Sequence, residues 1–159
     1  MRQAVIFDLD GTLWDATKQI VPAWNTVFGR HADIAREVTE EEMHGYMGKT
    51  IEEIAAIALP DKDSTKAVSV LMECCAEQNG YLREKGGMLY PNLIPTLCEL
   101  KKRYDLCVVS NCVDGYLQAF MEYHKMQNYF MDFEMSGRTG KPKGDNIRLV
   151  MERNGIGQA

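Results

Sequence analysis

The amino-acid sequence predicts an α/β protein, a parallel sheet interrupted after its first strand by an all-helical insertion. Three observations carry this prediction. Residues 4–9, AVIFDL, are apolar on both alternating faces apart from Asp8, the pattern of a strand covered on each side. A second run of this kind, DLCVVSN, ends in small polar residues at Ser110 and Asn111. Between the two strands, residues 16–85 show only helical spacing of their apolar side chains. A parallel sheet requires helical crossovers, which the helical periods around the second strand supply.

After the first strand, residues 11–15 form a turn, and Ile20, Val21, Trp24, Val27 and Phe28 then recur at helical spacing. Thr39, with Glu42 three residues on, is a capping box; it starts a helix that breaks at Gly45 to Gly48, and another helix follows. From Asp63 to Lys85, one long and mostly apolar face is marked by Ala67, Val70, Leu71, Cys74, Gln78, Tyr81 and Leu82. KGGMLYPN punctuates the chain, and LIPTLCELKKRY resumes helical periodicity before the second strand. A helix is expected over about 113–123, MDFEM reads as a short third strand, and residues 146–154 read as a last helix. In such an alternation the loops at the carboxyl ends of the strands share one rim, and Asp8, Ser110 and Lys141 all fall at or just after those ends.

A chain of 159 residues has room for one core, or for one core with a small lobe. Its net charge of -5 supplies no basic field for a phosphate backbone, which excludes nucleic acid as a partner. No apolar run approaches the roughly 20 residues of a membrane span, and the amino terminus carries no signal-peptide pattern. The expectation is a soluble, cytoplasmic protein. Cys74, Cys75, Cys98, Cys107 and Cys112 lack C-x-x-C spacing and read as reduced core thiols. His31, His44 and His124 form no ligand spacing and read as surface or packing residues.

The stretch FDLDGTLWD places two aspartates where a buried strand meets solvent. Like charges so close repel unless a cation separates them, or unless one carboxylate does chemistry. An aspartate at a strand end can attack phosphorus, and a second carboxylate two residues on can protonate the leaving oxygen. Magnesium suits such a pair, since it takes oxygen ligands and is commonly held by one or two carboxylates together with phosphate oxygens. Gly11 permits the tight turn, and the Thr12 hydroxyl is placed to orient the carboxylate or the phosphoryl group. A calcium loop opening at Asp8 fails, because its sixth position would be Leu13 and its twelfth Gln19. Ser110 and Asn111 are candidates to bind phosphoryl oxygens beside a helix amino terminus, and Lys141 is a point charge suited to the transferring group.

With these motifs in this order, the chain resembles the haloacid dehalogenase superfamily of phosphohydrolases, in its phosphoglycolate phosphatase-like branch. FDLDGTLWD resembles the first motif, VVSN the second through Ser110, and GKPKGDN the third through Lys141. The resemblance implies a Rossmann-like core from residues 1–15 and 86–159, with residues 16–85 as a helical cap. It further implies a magnesium-dependent phosphatase acting on a small phosphorylated metabolite. Asp8 would be the nucleophile, Asp10 the general acid and base, and magnesium would meet the Asp8 carboxylate and the Asp10 main-chain carbonyl. Asp10 argues against dehalogenation, which lacks the second aspartate. In the cap loop HGYMGKT, Lys49 is a candidate to meet a substrate anion, and Trp14 a candidate to line the entrance. The chain reaches ERNGIGQA without the acidic Gly-Asp pair of the fourth motif, for which Asp114, Asp132 and Asp145 are poor replacements by context. The corresponding expectations are a sheet incomplete at its C-terminus, impaired turnover, and an exposed first strand open to self-association. Two alternatives stay open: a sugar phosphomutase of the same branch, and a non-catalytic binding or assembly module.

Overall fold

The side chains of the strand Asp105–Ser110 (β4) alternate between two cores in the computed structural model, which describes residues 2–159. Leu106 and Val108 join a large apolar cluster on one face of the sheet, and Cys107 and Val109 pack with Ala4, Val150 and Ile156 on the other. This two-sided burial is what a near-continuous apolar run encodes in a parallel sheet. The strand Arg2–Phe7 (β1) pairs with β4 in parallel, from Ala4 opposite Asp105 to Phe7 opposite Val108. The strand Asp132–Met135 (β5) pairs with the other edge of β4, also in parallel.

A three-residue strand, Ile156–Gln158 (β6), lies parallel to β1 and gives the sheet order β5-β4-β1-β6. This corrects the expectation that the first strand is an open edge. Ile156 is apolar and buries itself in the cluster of Ala4 and Val150, which anchors β6 against β1. Registered pairs on this side are confined to Arg2 and Gln3, so β6 covers the start of β1 and not the length of it.

Between the strands run the insertion helices Thr17–Arg30 (α1), Glu40–Tyr46 (α2), Ile51–Ala58 (α3) and Ser64–Lys85 (α4). The Thr39 capping box is formed: Glu42 N–H donates to Thr39 Oγ1 at 3.2 Å, and Thr39 N–H donates to Glu42 Oε2 at 2.9 Å. Thr50 and Glu53 repeat the device at the start of α3, satisfying N–H groups the helix leaves without partners. Along α4 the buried stripe takes in Cys75 and Asn79, whereas Tyr81, expected on that face, is 38% exposed. Cys98 is also exposed, unlike the core thiol expected, and all five cysteines are free.

The insertion leaves and returns through a short antiparallel ribbon of Trp14–Asp15 (β2) and Met88–Leu89 (β3), with Trp14 opposite Leu89. Gly87 is required there by close approach: a Cβ would stand 2.7 Å from the Trp14 ring and 3.1 Å from the Ala16 Cα. One apolar cluster runs from Trp14, Leu97 and Phe120 under the sheet to Trp24, Phe28 and Leu71 in the insertion. The remaining helices are Leu93–Leu100 (α5), Tyr116–His124 (α6), Ser136–Thr139 (α7) and Lys143–Asn154 (α8). α6 starts later than its periodicity suggests, while α8 starts earlier, directly after Pro142. Among the described residues, no helix is long and apolar enough to cross a membrane.

Candidate active site

The carboxyl ends of β1 and β4 and the loop before α8 meet on one rim. At the end of β1, Asp8 Oδ1 accepts the Leu9 N–H at 2.8 Å and pairs with Lys143 Nζ at 2.7 Å. Lys143, in the first turn of α8, is thus the cation set against Asp8. Lys141 is exposed; its N–H donates to Thr139 Oγ1 at 3.1 Å and its carbonyl accepts from Asn146 Nδ2 at 3.0 Å. Asn146 is wholly buried and also accepts from Thr139 Oγ1 at 2.7 Å, so one amide pins the loop that carries both lysines. The sequence reading missed Lys143 and Asn146 although both stand in GKPKGDN, because spacing alone cannot say which of two lysines turns inward.

Asp10 is held on a single oxygen. Its Oδ1 accepts from Tyr116 Oη at 2.7 Å and from Trp14 Nε1 at 3.0 Å. Burial pushes its pKa up to about 6 against the lowering effect of these two hydrogen bonds, and the charges of Asp8 and Asp15 add to the rise. Gly11, at φ 73, makes the turn that brings Trp14 back beneath Asp10, with the Gly11 N–H donating to the Trp14 carbonyl at 3.1 Å. Thr12 is exposed on that turn. Trp14 does not line an entrance. It is fully buried, with ring centroids 5.5 Å from Tyr116 and 5.1 Å from Phe120, because so large an apolar ring gains more from the core than from the rim. Its role at the site passes through its N–H to Asp10.

Ser110 is buried, and its Oγ accepts the Cys112 N–H at 3.2 Å. The Asn111 amide works as a clasp: its Nδ2 donates to the Gly48 carbonyl at 3.0 Å, and its Oδ1 accepts from Ser136 Oγ at 3.0 Å. The sequence thereby ties the loop HGYMGKT of the insertion to the end of β4, with exposed Lys49 beside the clasp. Asp10, Ser110, Asn111 and Lys49 border one cavity between insertion and sheet. Burial pushes the thiols of Cys75 and Cys112, also on this cavity, up to about 12, so both stay neutral and are unsuited to nucleophilic attack.

Among the described residues, no group of three or more His, Cys, Asp or Glu side chains gathers around a metal position. The three aspartates weighed as replacements are engaged elsewhere. Asp132 is held by Arg153 at 2.6 and 2.7 Å, Asp145 by Arg148, and Asp114 accepts from Gln118 Nε2 at 2.7 Å. The donors left at the rim are oxygens of Asp8 and Asp10. Magnesium is commonly bound through one or two carboxylates plus substrate phosphate, so this donor set fits an ion held jointly with a phosphorylated ligand.

The model of the family described as haloacid dehalogenase-like hydrolase matches residues 5–159 of the chain. The probable phosphatase IndB of Dickeya dadantii (strain 3937) is 29% identical over 136 residues, a match that takes in 82% of this chain and 57% of that protein. The chain thus spans little more than half the length of this relative. Among solved structures, a haloacid dehalogenase-like hydrolase of Bacteroides fragilis superposes with a TM-score of 0.81 at 24% identity, over 98% of this chain and 74% of that one. CbbY of Rhodobacter sphaeroides, solved in complex with xylulose 1,5-bisphosphate, gives 0.76 at 18% identity, over the same shares of the two chains. At these identities the likeness establishes a common fold.

Proposed function

Because the chain belongs to the haloacid dehalogenase-like hydrolase family, we propose that it hydrolyses phosphate monoesters through Asp8 and Asp10. One observation carries the reading: a carboxylate paired with Lys143 stands two residues from a carboxyl whose pKa is raised to about 6, on the rim of a cavity. That is the arrangement a nucleophile and a neighbouring proton donor need. In this reading residues 1–15 and 86–159 carry the phosphoryl chemistry, and residues 16–85 cover it.

Asp8 Oδ1 is engaged by the Leu9 N–H and by Lys143, which leaves Oδ2 to attack phosphorus. As the bond to the alcohol oxygen breaks, Asp10 delivers a proton to that oxygen, and the phosphoryl group rests on Asp8. Two hydrogen bonds occupy Asp10 Oδ1, so Oδ2 carries the proton. Asp10 then takes a proton from water; the water oxygen attacks the aspartyl-phosphate, and inorganic phosphate leaves with Asp8 restored. Lys143 balances the charge on Asp8, the Ser110 hydroxyl and Thr12 bind phosphoryl oxygens, and Lys141 adds a second charge from the same loop. Trp14 and Asn111 position Asp10 and the cap loop, and Lys49 meets the substrate at the cavity. Magnesium would be held by the Asp8 carboxylate and the Asp10 main-chain carbonyl, and would supply neutralisation of phosphoryl charge.

The test is magnesium-dependent release of p-nitrophenolate from its phosphate ester. Asp8→Asn should abolish release, and Asp10→Asn should lower it by about a hundredfold or more, the usual contribution of a general acid. Equal release by the Asp8→Asn chain, or none by the unaltered chain, overturns the proposal.

A further inference from the structure

The cavity beside Asp10 has two unlike linings. One is polar and takes in Asp10, Ser110, Asn111 and Lys49. The other takes in Ile20, Trp24, Met43, Tyr46, Met47 and Ile54, all contributed by the insertion. The cavity volume is about 520 Å³.

Two polar side chains of the apolar wall, Trp24 and Tyr46, have partners within the protein, and the Gln78 amide also lines the cavity. Trp24 Nε1 donates to Gln78 Oε1 at 2.6 Å, and the Tyr46 hydroxyl is engaged by Arg36. A polyhydroxylated alcohol entering here would give up its hydrogen bonds to water and find few replacements, which is costly. A hydrocarbon group would gain, because it exchanges water for apolar side chains and thioethers. We propose that this cavity takes phosphate monoesters whose alcohol portion is predominantly hydrocarbon, with the phosphoryl group against the polar lining beside Asp10 and the chain against the apolar one. The assignment rests on the phosphatase reading of Asp8 and Asp10.

Calorimetric titration of the whole chain with n-alkylphosphonates, from methyl to hexyl and with magnesium present, tests the assignment without turnover. Affinity should rise about threefold to fourfold per methylene until the apolar lining is covered. Inorganic phosphate should displace every member of the series. Met47→Gln, a substitution of similar shape at a half-buried wall position, should flatten the rise. Equal affinity along a series that inorganic phosphate displaces would overturn the hydrocarbon assignment and leave the phosphatase reading standing. A rise that inorganic phosphate cannot displace, or no binding by any member, would overturn the assignment as well. A phosphate-displaceable rise in a chain whose p-nitrophenyl phosphate turnover is unchanged by Asp8→Asn supports the hydrocarbon preference and sinks the phosphatase reading alone.

Discussion

Lys143 Nζ stands 2.7 Å from Asp8 Oδ1 and joins the first turn of α8 to the end of β1. The contact depends on a loop that Asn146 fixes through Thr139 and the Lys141 carbonyl. A charge-assisted hydrogen bond contributes about 1.5–3 kcal/mol. Lys143→Met should therefore weaken binding of inorganic phosphate about tenfold or more, with partial recovery in Lys143→Arg. Calorimetry on the two variants and on Lys141→Met decides the matter. Unchanged affinity in Lys143→Met, with loss in Lys141→Met, would assign the phosphate-binding charge to Lys141.

The hydrogen bond from Tyr116 Oη to Asp10 Oδ1 holds the Asp10 pKa below what burial alone would set. Tyr116→Phe removes that bond and leaves the burial, so in the metal-free chain Asp10 should titrate above its value of about 6. The linkage sign follows from the same shift. A folded-state pKa above the ordinary 3.8 favours the fold fully at pH below 3.8, and this contribution is lost as pH rises through about 6. Carbon NMR of the Asp10 carboxyl reads the midpoint directly, and an unmoved or lowered midpoint in Tyr116→Phe would refute the account.

What was legible in the sequence was local. The pair Asp8 and Asp10 follows an apolar run directly, the Thr39 capping box spans three residues, and the two-faced burial of β4 is written in consecutive residues. Tyr116 reaches Asp10 across 106 positions of chain, and no spacing rule links residues so far apart. Trp14 was misplaced because the same residue type serves a cavity wall and a core equally well; only the approach of Gly87 and Phe120 decides between them. β2, β3 and β6 are two or three residues long, too short for an alternation of period two to show.

Glu134 on β5 is 2% exposed and is held by two guanidinium groups, Arg138 Nε on Oε1 and Arg153 Nη1 on Oε2, each at 2.7 Å. Burial raises its pKa and that of Asp132, but the hydrogen bonds from Arg138 and Arg153 to Glu134, and from Arg153 and Asn154 to Asp132, outweigh it and leave both low. Carboxyls with depressed folded-state values stabilise the fold above their ordinary values of 3.8 and 4.5, and the contribution is lost as pH falls through the lower folded values. Arg153→Met should cost about 2 kcal/mol at neutral pH, less than a fully buried pair because Arg138 remains and Arg153 is partly exposed. In urea unfolding, the gap between the two chains should be full above pH 4.5 and narrow as pH falls below 3.8 through the lower folded-state values. A gap independent of pH would show that Arg153 acts through packing alone.

Two glycine-to-alanine changes should have opposite signs. At Gly87 the added methyl would meet Trp14 Cε3 at 2.7 Å and the Ala16 Cα at 3.1 Å. Neither neighbour gives way easily: Trp14 is fully buried and bonded to Asp10, and the Ala16 atom is backbone. The expected cost is about 1–3 kcal/mol, the range for overpacking a close-fitted site. At Gly80, inside α4, the methyl meets nothing within 4 Å, and helix propensity favours alanine by about 0.5–1 kcal/mol. Gly80→Ala should therefore raise the urea midpoint while Gly87→Ala lowers it. A neutral Gly87→Ala would mean that the Trp14 ring can shift, and the hydrogen bond to Asp10 would then be expected to lengthen with it.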